Sequence, residues 1–253
     1  MITIDNLHKS FGRQPVLSGV TLSFDRPGIY AILGPNGSGK TTLIKSILGM
    51  AIPDKGRILF QGKDIRGQWH YRRQIDYLPQ IARFPDNLRV SELLAMIEDI
   101  REEKPQAMGR LIELFGLQPY LDKRLGNLSG GTRQKVNLVQ AFMYDSPVII
   151  LDEPTNGLDP VALIRLKGLL HEEKEKGKLL LATTHIMNFV EEMADEVVFL
   201  LEGHIHFKGS LDSLKRQYNE TSLERAIARI LQGEPGFSAN GHIKQAVRLA
   251  VRR

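Results

Sequence analysis

Gly34-Pro35-Asn36-Gly37-Ser38-Gly39-Lys40-Thr41 lies between the apolar run Ile29-Tyr30-Ala31-Ile32-Leu33 and the segment Thr42-Leu43-Ile44-Lys45-Ser46-Ile47-Leu48. The first run reads as a buried strand, and the second spaces its apolar residues as a helix does. A Gly-x4-Gly-Lys-Thr sequence between a strand and a helix is a phosphate loop. Gly34, Gly37 and Gly39 let the backbone turn its N–H groups inward on α- and β-phosphates, with Asn36, Ser38 and Thr42 completing the turn. Lys40 can reach the β- and γ-phosphates, and the Thr41 hydroxyl can hold Mg²⁺. The chain is therefore expected to bind ATP or GTP.

Outward from the loop, Val148-Ile149-Ile150-Leu151-Asp152-Glu153 is an apolar run ending in two carboxylates. A buried parallel strand delivers such acids to its carboxyl edge, where nucleotides sit in α/β sheets. Asp152 is placed to hold Mg²⁺ directly or through water, because hard cations take carboxylate oxygen. Glu153 can orient and deprotonate an attacking water. Taken alone the segment would be an acidic loop capping a strand; the phosphate loop decides otherwise. Leu128-Ser129-Gly130-Gly131 precedes an expected helix over 132–143. Ser129, Gly130 and Gly131 leave backbone N–H groups open to an anion, or serve as a plain helix cap.

The rest of the chain frames these motifs. Residues 1–24 alternate as antiparallel strands do, and 57–60 add another. From Val90 to Met143 the apolar period becomes helical, with one helix opened by Ser91 or its neighbours and a second marked by Leu111, Ile112, Leu114 and Phe115. Alternation then resumes as strand 148–151, helix 161–176, strand 179–183, helix 187–193 and strand 197–201. Apolar strands in that order form a parallel sheet covered on both faces, an α/β fold. Residues 211–232 read as helical. After Gly233-Glu234-Pro235-Gly236 the remainder reads as a frayed terminal helix, or as a short basic amphipathic helix able to touch a membrane or a partner.

With 253 residues and 42% hydrophobic content, the chain can fill the core of one α/β domain. It has no cysteine, which excludes disulfides and thiolate metal sites and fits a reducing compartment. A net charge of +5 would suit nucleic acid, yet acids and bases alternate in Glu172-Glu173-Lys174-Glu175-Lys176 and no aromatic residues interleave with a basic cluster. A solvated mixed surface is expected, and no nucleic acid. The start lacks a charged leader with an apolar stretch, and no apolar run reaches about 18 residues, so no self-inserted span is expected.

The motif order is specific. The phosphate loop, Tyr77-Leu78-Pro79-Gln80, Leu128-Ser129-Gly130-Gly131, Leu151-Asp152-Glu153-Pro154-Thr155-Asn156-Gly157-Leu158-Asp159 and Thr183-Thr184-His185 follow one another. This series resembles the nucleotide-binding subunits of ABC transporters over about residues 1–230. The resemblance implies a P-loop NTPase (RecA-like) core with an antiparallel β subdomain and an inserted α-helical subdomain. It implies an ATPase domain over 1–232, its helical part at about 87–144, followed by a basic tail over 233–253. Phe11 corresponds to the aromatic residue that stacks on adenine, although a core Phe would read alike. Gln80 corresponds to the glutamine that touches Mg²⁺ or water and relays nucleotide state to the membrane partner. Asp159 corresponds to the acid linking two sites across a dimer, and His185 to the histidine beside the γ-phosphate.

The family's Leu-Ser-Gly-Gly-Gln continues here with Thr132 in place of Gln and, further on, Lys135 in place of the common Arg. Ser129 and the glycine amides are intact, so activity is expected to survive. The resemblance further implies that two copies, in the simplest case identical, sandwich two Mg·ATP and drive an integral membrane permease from the cytoplasmic face. The Tyr-Leu-Pro-Gln form of the glutamine segment and Thr221-Ser222-Leu223-Glu224-Arg225 look like the export-type subgroup, which includes drug and sodium efflux ATPases and the Nos-type ATPase. The alternative is an ABC ATPase that pulls on a membrane protein without moving cargo. Work on ribosomes or DNA is disfavoured, because the sequence carries no second cassette, long coiled coil or zinc motif.

Overall fold

The computed structural model describes residues 1–233. The expected tail helix beyond the Gly233 break lies outside the described residues.

The chain opens with a hairpin, β1 (Ile2–Phe11) and β2 (Gln14–Phe24). β3 (Gly28–Leu33) then delivers the phosphate loop to α1 (Lys40–Ile47). β4 (Lys55–Phe60) and β5 (Lys63–Asp64) return to the hairpin, giving an antiparallel sheet in the order β2-β1-β4-β5. β6 (Ile75–Leu78) is followed by three helices, α2 (Val90–Arg101), α3 (Met108–Leu114) and α4 (Gly130–Phe142). The alternation ends with β7 (Val148–Asp152), α5 (Pro160–Glu175), β8 (Leu179–Thr183), α6 (Met187–Met193), β9 (Glu196–Leu201), β10 (His204–Gly209), α7 (Leu211–Tyr218) and α8 (Leu223–Leu231).

The second sheet has the order β10-β9-β3-β8-β7-β6. Its inner strands β3, β7 and β8 are buried on both faces, and successive side chains enter different cores, as the two-residue period of a strand demands. Along β7, Val148 and Ile150 pack with α1 and the antiparallel sheet, whereas Ile149 and Leu151 pack beneath α2–α5. A third cluster joins Phe199 and Phe207 to Leu214, Leu223 and Ile227 of the last two helices.

Three details depart from the sequence reading, and the start of α2 refines it. The sheet is mixed, because β10 pairs antiparallel with β9 at the edge. β6 is a strand that the sequence did not announce, since a buried Asp76 interrupts its apolar run. α2 opens at Val90, beside Ser91, with its cap at Arg89, whose backbone N–H donates to Glu92 at 2.8 Å. The expected helix over 211–232 is two helices. Asn219 adopts a left-handed conformation that ends α7, and the Ser222 side chain caps α8.

Candidate nucleotide site

Register brings the expected residues to one sheet edge. Ile32 of β3 and Asp152 of β7 both lie opposite Thr183 of β8, and Leu78 of β6 lies opposite Leu151. The loops leaving these strands, with Gly34, Gln80, Glu153 and His185, therefore emerge side by side at the carboxyl edge. A cleft of about 490 Å³ is lined there by Phe11, Gln14, Val16, Asn36, Gly37, Gly39, Lys40, Thr41, Thr42, Gln80, Asp152 and Glu153.

Glycine is required at two points of the loop. A Cβ on Gly34 would lie 2.0 Å from the Leu200 carbonyl oxygen, and one on Gly39 would lie 2.8 Å from that of Val16. The Lys40 ammonium donates to the carbonyls of Gly34 (2.8 Å) and Pro35 (3.1 Å). Burial lowers its pKa from the usual 10.5, opposed by the charges of Glu153 and Asp152. The Ser38 hydroxyl is buried without a partner.

The two carboxylates are held differently. Asp152 accepts a short hydrogen bond from the Thr183 hydroxyl and a long one, 3.4 Å, from Thr41 Oγ1. Thr183 was visible in the sequence series without a role; it supports Asp152 from the neighbouring strand and also accepts from the Glu153 backbone N–H at 3.1 Å. Tyr77, packed on the same side, has its phenol pushed up to about 12 by burial and then by the Asp152 charge. Glu153 is 7% exposed and sits at φ 55°, a left-handed conformation that a glutamate adopts only when its surroundings enforce it. Its Oε2 lies 2.9 Å from His185 Nδ1, and the histidine side chain is largely exposed.

Phe11 sits at the tip of the first hairpin and is 56% exposed, so it is not a core side chain. Lys9 places its ammonium 5.3 Å from the ring centroid.

Ser129, Gly130, Gly131 and Asp159 do not line the cleft. They form a second cluster. The Ser129 hydroxyl caps α4, accepting from Thr132 N–H at 3.2 Å and bonding the Thr132 hydroxyl at 2.9 Å. A Cβ on Gly131 would lie 2.8 Å from the Gly157 carbonyl oxygen, Gln134 donates to the Pro154 carbonyl, and Lys135 pairs with Asp159 at 2.6 Å. Asp159 also caps α5 through Ala162 N–H. The two departures from the family pattern, Thr132 and Lys135, thus both have partners within this cluster.

A phosphate loop after the central strand, with carboxylates at the end of the next strand but one, defines a P-loop nucleoside triphosphatase. Residues 17–156 match the ABC transporter family. The chain is 32% identical over 237 residues to the uncharacterized ABC transporter ATP-binding protein YxlF of Bacillus subtilis, covering 92% of this chain and 79% of that one. It is 31% identical over 248 residues to the bacitracin transport ATP-binding protein BcrA of Bacillus licheniformis, covering 96% and 81%. Among solved structures, an ATP-binding subunit of an ABC transporter superposes with a TM-score of 0.85 at 32% identity, over 91% of this chain and 99% of the other. The chain belongs to the ABC transporter ATP-binding family: it is an ATP-binding, ATP-hydrolysing transporter subunit. Among the described residues no helix is long and apolar enough to cross a membrane.

Proposed function

We propose that two copies of this chain close on two Mg·ATP, each bound between the phosphate loop of one copy and the Ser129 segment of the other, and that this cycle powers an export-type integral membrane permease. The observation that carries the reading is the division of the site: cleft and Ser129 cluster are separate within one chain. Gly130 and Gly131 begin a thirteen-residue helix, α4, whose first N–H groups suit a γ-phosphate brought from elsewhere.

In this reading Phe11 stacks on adenine. The amides of 36–41 surround the phosphates, and Lys40 exchanges the Gly34 and Pro35 carbonyls for β- and γ-phosphate oxygens. Mg²⁺ fits the donor set. Thr41 and Asp152 offer hard oxygens, and among the described residues no cluster of three or more His, Asp or Glu could hold a metal alone. The ion would therefore complete its shell with phosphate oxygens, waters and Gln80, and it would neutralise charge on the transferred group. Glu153 orients and deprotonates the attacking water, with His185 holding the carboxylate in place.

ATP acts as an interfacial ligand. It favours the closed pair because its γ-phosphate gains contacts there that the open pair lacks. Hydrolysis removes those contacts, Asp159 links the two sites across the pair, and the permease is driven between conformations. Exposed apolar side chains support a docked membrane partner. Ile81, beside Gln80, is 66% exposed, and Met50 and Ile52 are exposed as well. The relatives named for bacitracin transport and Nod factor export support the export direction.

Glu153→Gln preserves shape and removes the base. Turnover is expected to fall about 10²- to 10⁴-fold with ATP binding retained. Light scattering should then give twice the 28.5 kDa chain mass when Mg·ATP is present, and Ser129→Glu should abolish that doubling. A monomer at saturating Mg·ATP would refute the sandwich; undiminished hydrolysis would refute the base.

A further inference from the structure

Asp76 is the anomaly of the mixed sheet. It is a carboxylate in the middle of a strand, its side chain 2% exposed, where burial raises its pKa despite a neighbouring cation. That cation is Arg101, the last residue of α2. One guanidinium gathers three segments. It donates to Asp76 Oδ1 at 2.5 Å, to the Arg73 carbonyl at 2.9 Å and to the Ser146 hydroxyl at 2.7 Å. Its plane also lies over the Tyr144 ring, 4.0 Å from the centroid. Arg73 precedes β6, and Tyr144 and Ser146 precede β7, so Arg101 pins the far end of α2 to the amino edge of the sheet.

The position of α2 in the chain gives this clasp a consequence. β6 runs from the clasp to the carboxyl edge, residues 79–89 turn over that edge with Gln80, and α2 runs back to the clasp. The turn itself contains no helix or strand. Its second half is itself tied to residues 121–126, through Gly126 N–H to Asp86 O and Leu125 N–H to Leu88 O. The Gln80 segment is thus a span fixed at one end by the sheet hydrogen bonds of β6 and at the other by the 86–91 pairing, which leads directly into the helix whose last residue is clasped. A buried ion pair is weak evidence for stability, because an apolar pair of similar volume often serves as well. What it supplies is a defined geometry, here through three acceptors and a ring arranged around a planar fork.

We propose that Arg101 is a positioning residue, clasping α2 to Asp76, Arg73 and Ser146 so that the 79–89 span holds Gln80 at the nucleotide edge. Its effect on turnover rests on the reading of Gln80 given above; its effect on the span does not.

Hydrogen exchange on the full chain separates the two. In Arg101→Met, amides of 79–89 should exchange about tenfold faster while those of β7 stay unchanged. kcat per folded enzyme should fall about tenfold with KM for ATP within about twofold, the folded fraction being measured in parallel because loss of folded protein alone also lowers apparent kcat at unchanged KM. Arg101→Lys should fail to rescue either, because an ammonium cannot reproduce the fork and the stack. If Arg101→Met does not fold, the pair Asp76→Leu with Arg101→Met removes both charges and should show the same loosening. Wild-type protection of 79–89 in a folded clasp variant overturns the proposal. A Gln80→Ala variant with wild-type kcat would overturn the role of Gln80, leaving exchange to decide the clasp.

Discussion

Gly34→Ala and Gly37→Ala occupy the same loop and should behave differently. The new methyl at residue 34 would sit 2.0 Å from the Leu200 carbonyl oxygen and 2.7 Å from Ser38 Oγ, whereas the one at residue 37 meets nothing within 4 Å. An ordinary carbon–oxygen contact is about 3.3 Å, so residue 34 must retreat by roughly 1.3 Å from a strand that cannot yield. Overpacking of that kind costs about 3 kcal/mol. For a chain of this size each kcal/mol shifts Tm by about 2–4 °C, giving a fall of about 6–12 °C. A displacement near 1 Å in a positioning loop can also cost about 10²-fold in turnover, and ATP affinity should drop with it because the loop amides no longer meet the phosphates. Gly37→Ala, with its φ of 81° as the main strain, should cost about 1 kcal/mol and about 2–4 °C. Thermal melts with and without Mg·ATP, together with titration of a fluorescent ATP analogue, measure both. Equal melts for the two variants, or wild-type ATP affinity in Gly34→Ala, would show that the Leu200 carbonyl does not demand glycine at residue 34.

Lys40→Ala should reduce ATP affinity at least about 100-fold, since it removes a half-buried charged hydrogen-bond donor to phosphate; normal affinity would count against the phosphate-loop assignment. The same lysine predicts a pH effect. Burial holds its pKa below 10.5 in the free protein, and a bound polyphosphate raises it, so binding takes up protons in the alkaline range. ATP affinity should therefore fall as pH rises from about 8 towards 10, and a flat profile in wild type would contradict the linkage. Phe11→Ala should weaken ATP binding about tenfold and Phe11→Tyr should restore it, measured by the same titration; indifference to the ring would remove it from the adenine site.

Much of this arrangement could be read before folding because its strands are buried on both faces. Val148–Asp152 and Leu179–Thr183 appear as nearly unbroken apolar runs, and the polar residues at their ends, Asp152 and Glu153 after the first and Thr183 to His185 after the second, mark the functional edge. β6 escaped notice because its Asp76 breaks the run, and the cation that makes Asp76 tolerable comes from 25 residues further along the chain. β10 does carry the alternation of an edge strand, His204, His206 and Lys208 around Ile205 and Phe207, but it has none of the continuous apolar character that marks the buried strands. The break between α7 and α8 depends on Asn219 taking a left-handed conformation, which sequence periodicity does not register. Ser129 and Glu153 were visible as motifs. Their placement in different clusters of one chain, and the support of Asp152 by the Thr183 hydroxyl, required the strand register.

Whether this ATPase powers a permease is settled by tagging the Glu153→Gln variant in its native cell, extracting membranes in mild detergent with Mg·ATP, and identifying what co-purifies. A polytopic membrane protein at near-equal stoichiometry with the ATPase is expected. Recovery with soluble or ribosomal partners and no membrane protein would contradict that role.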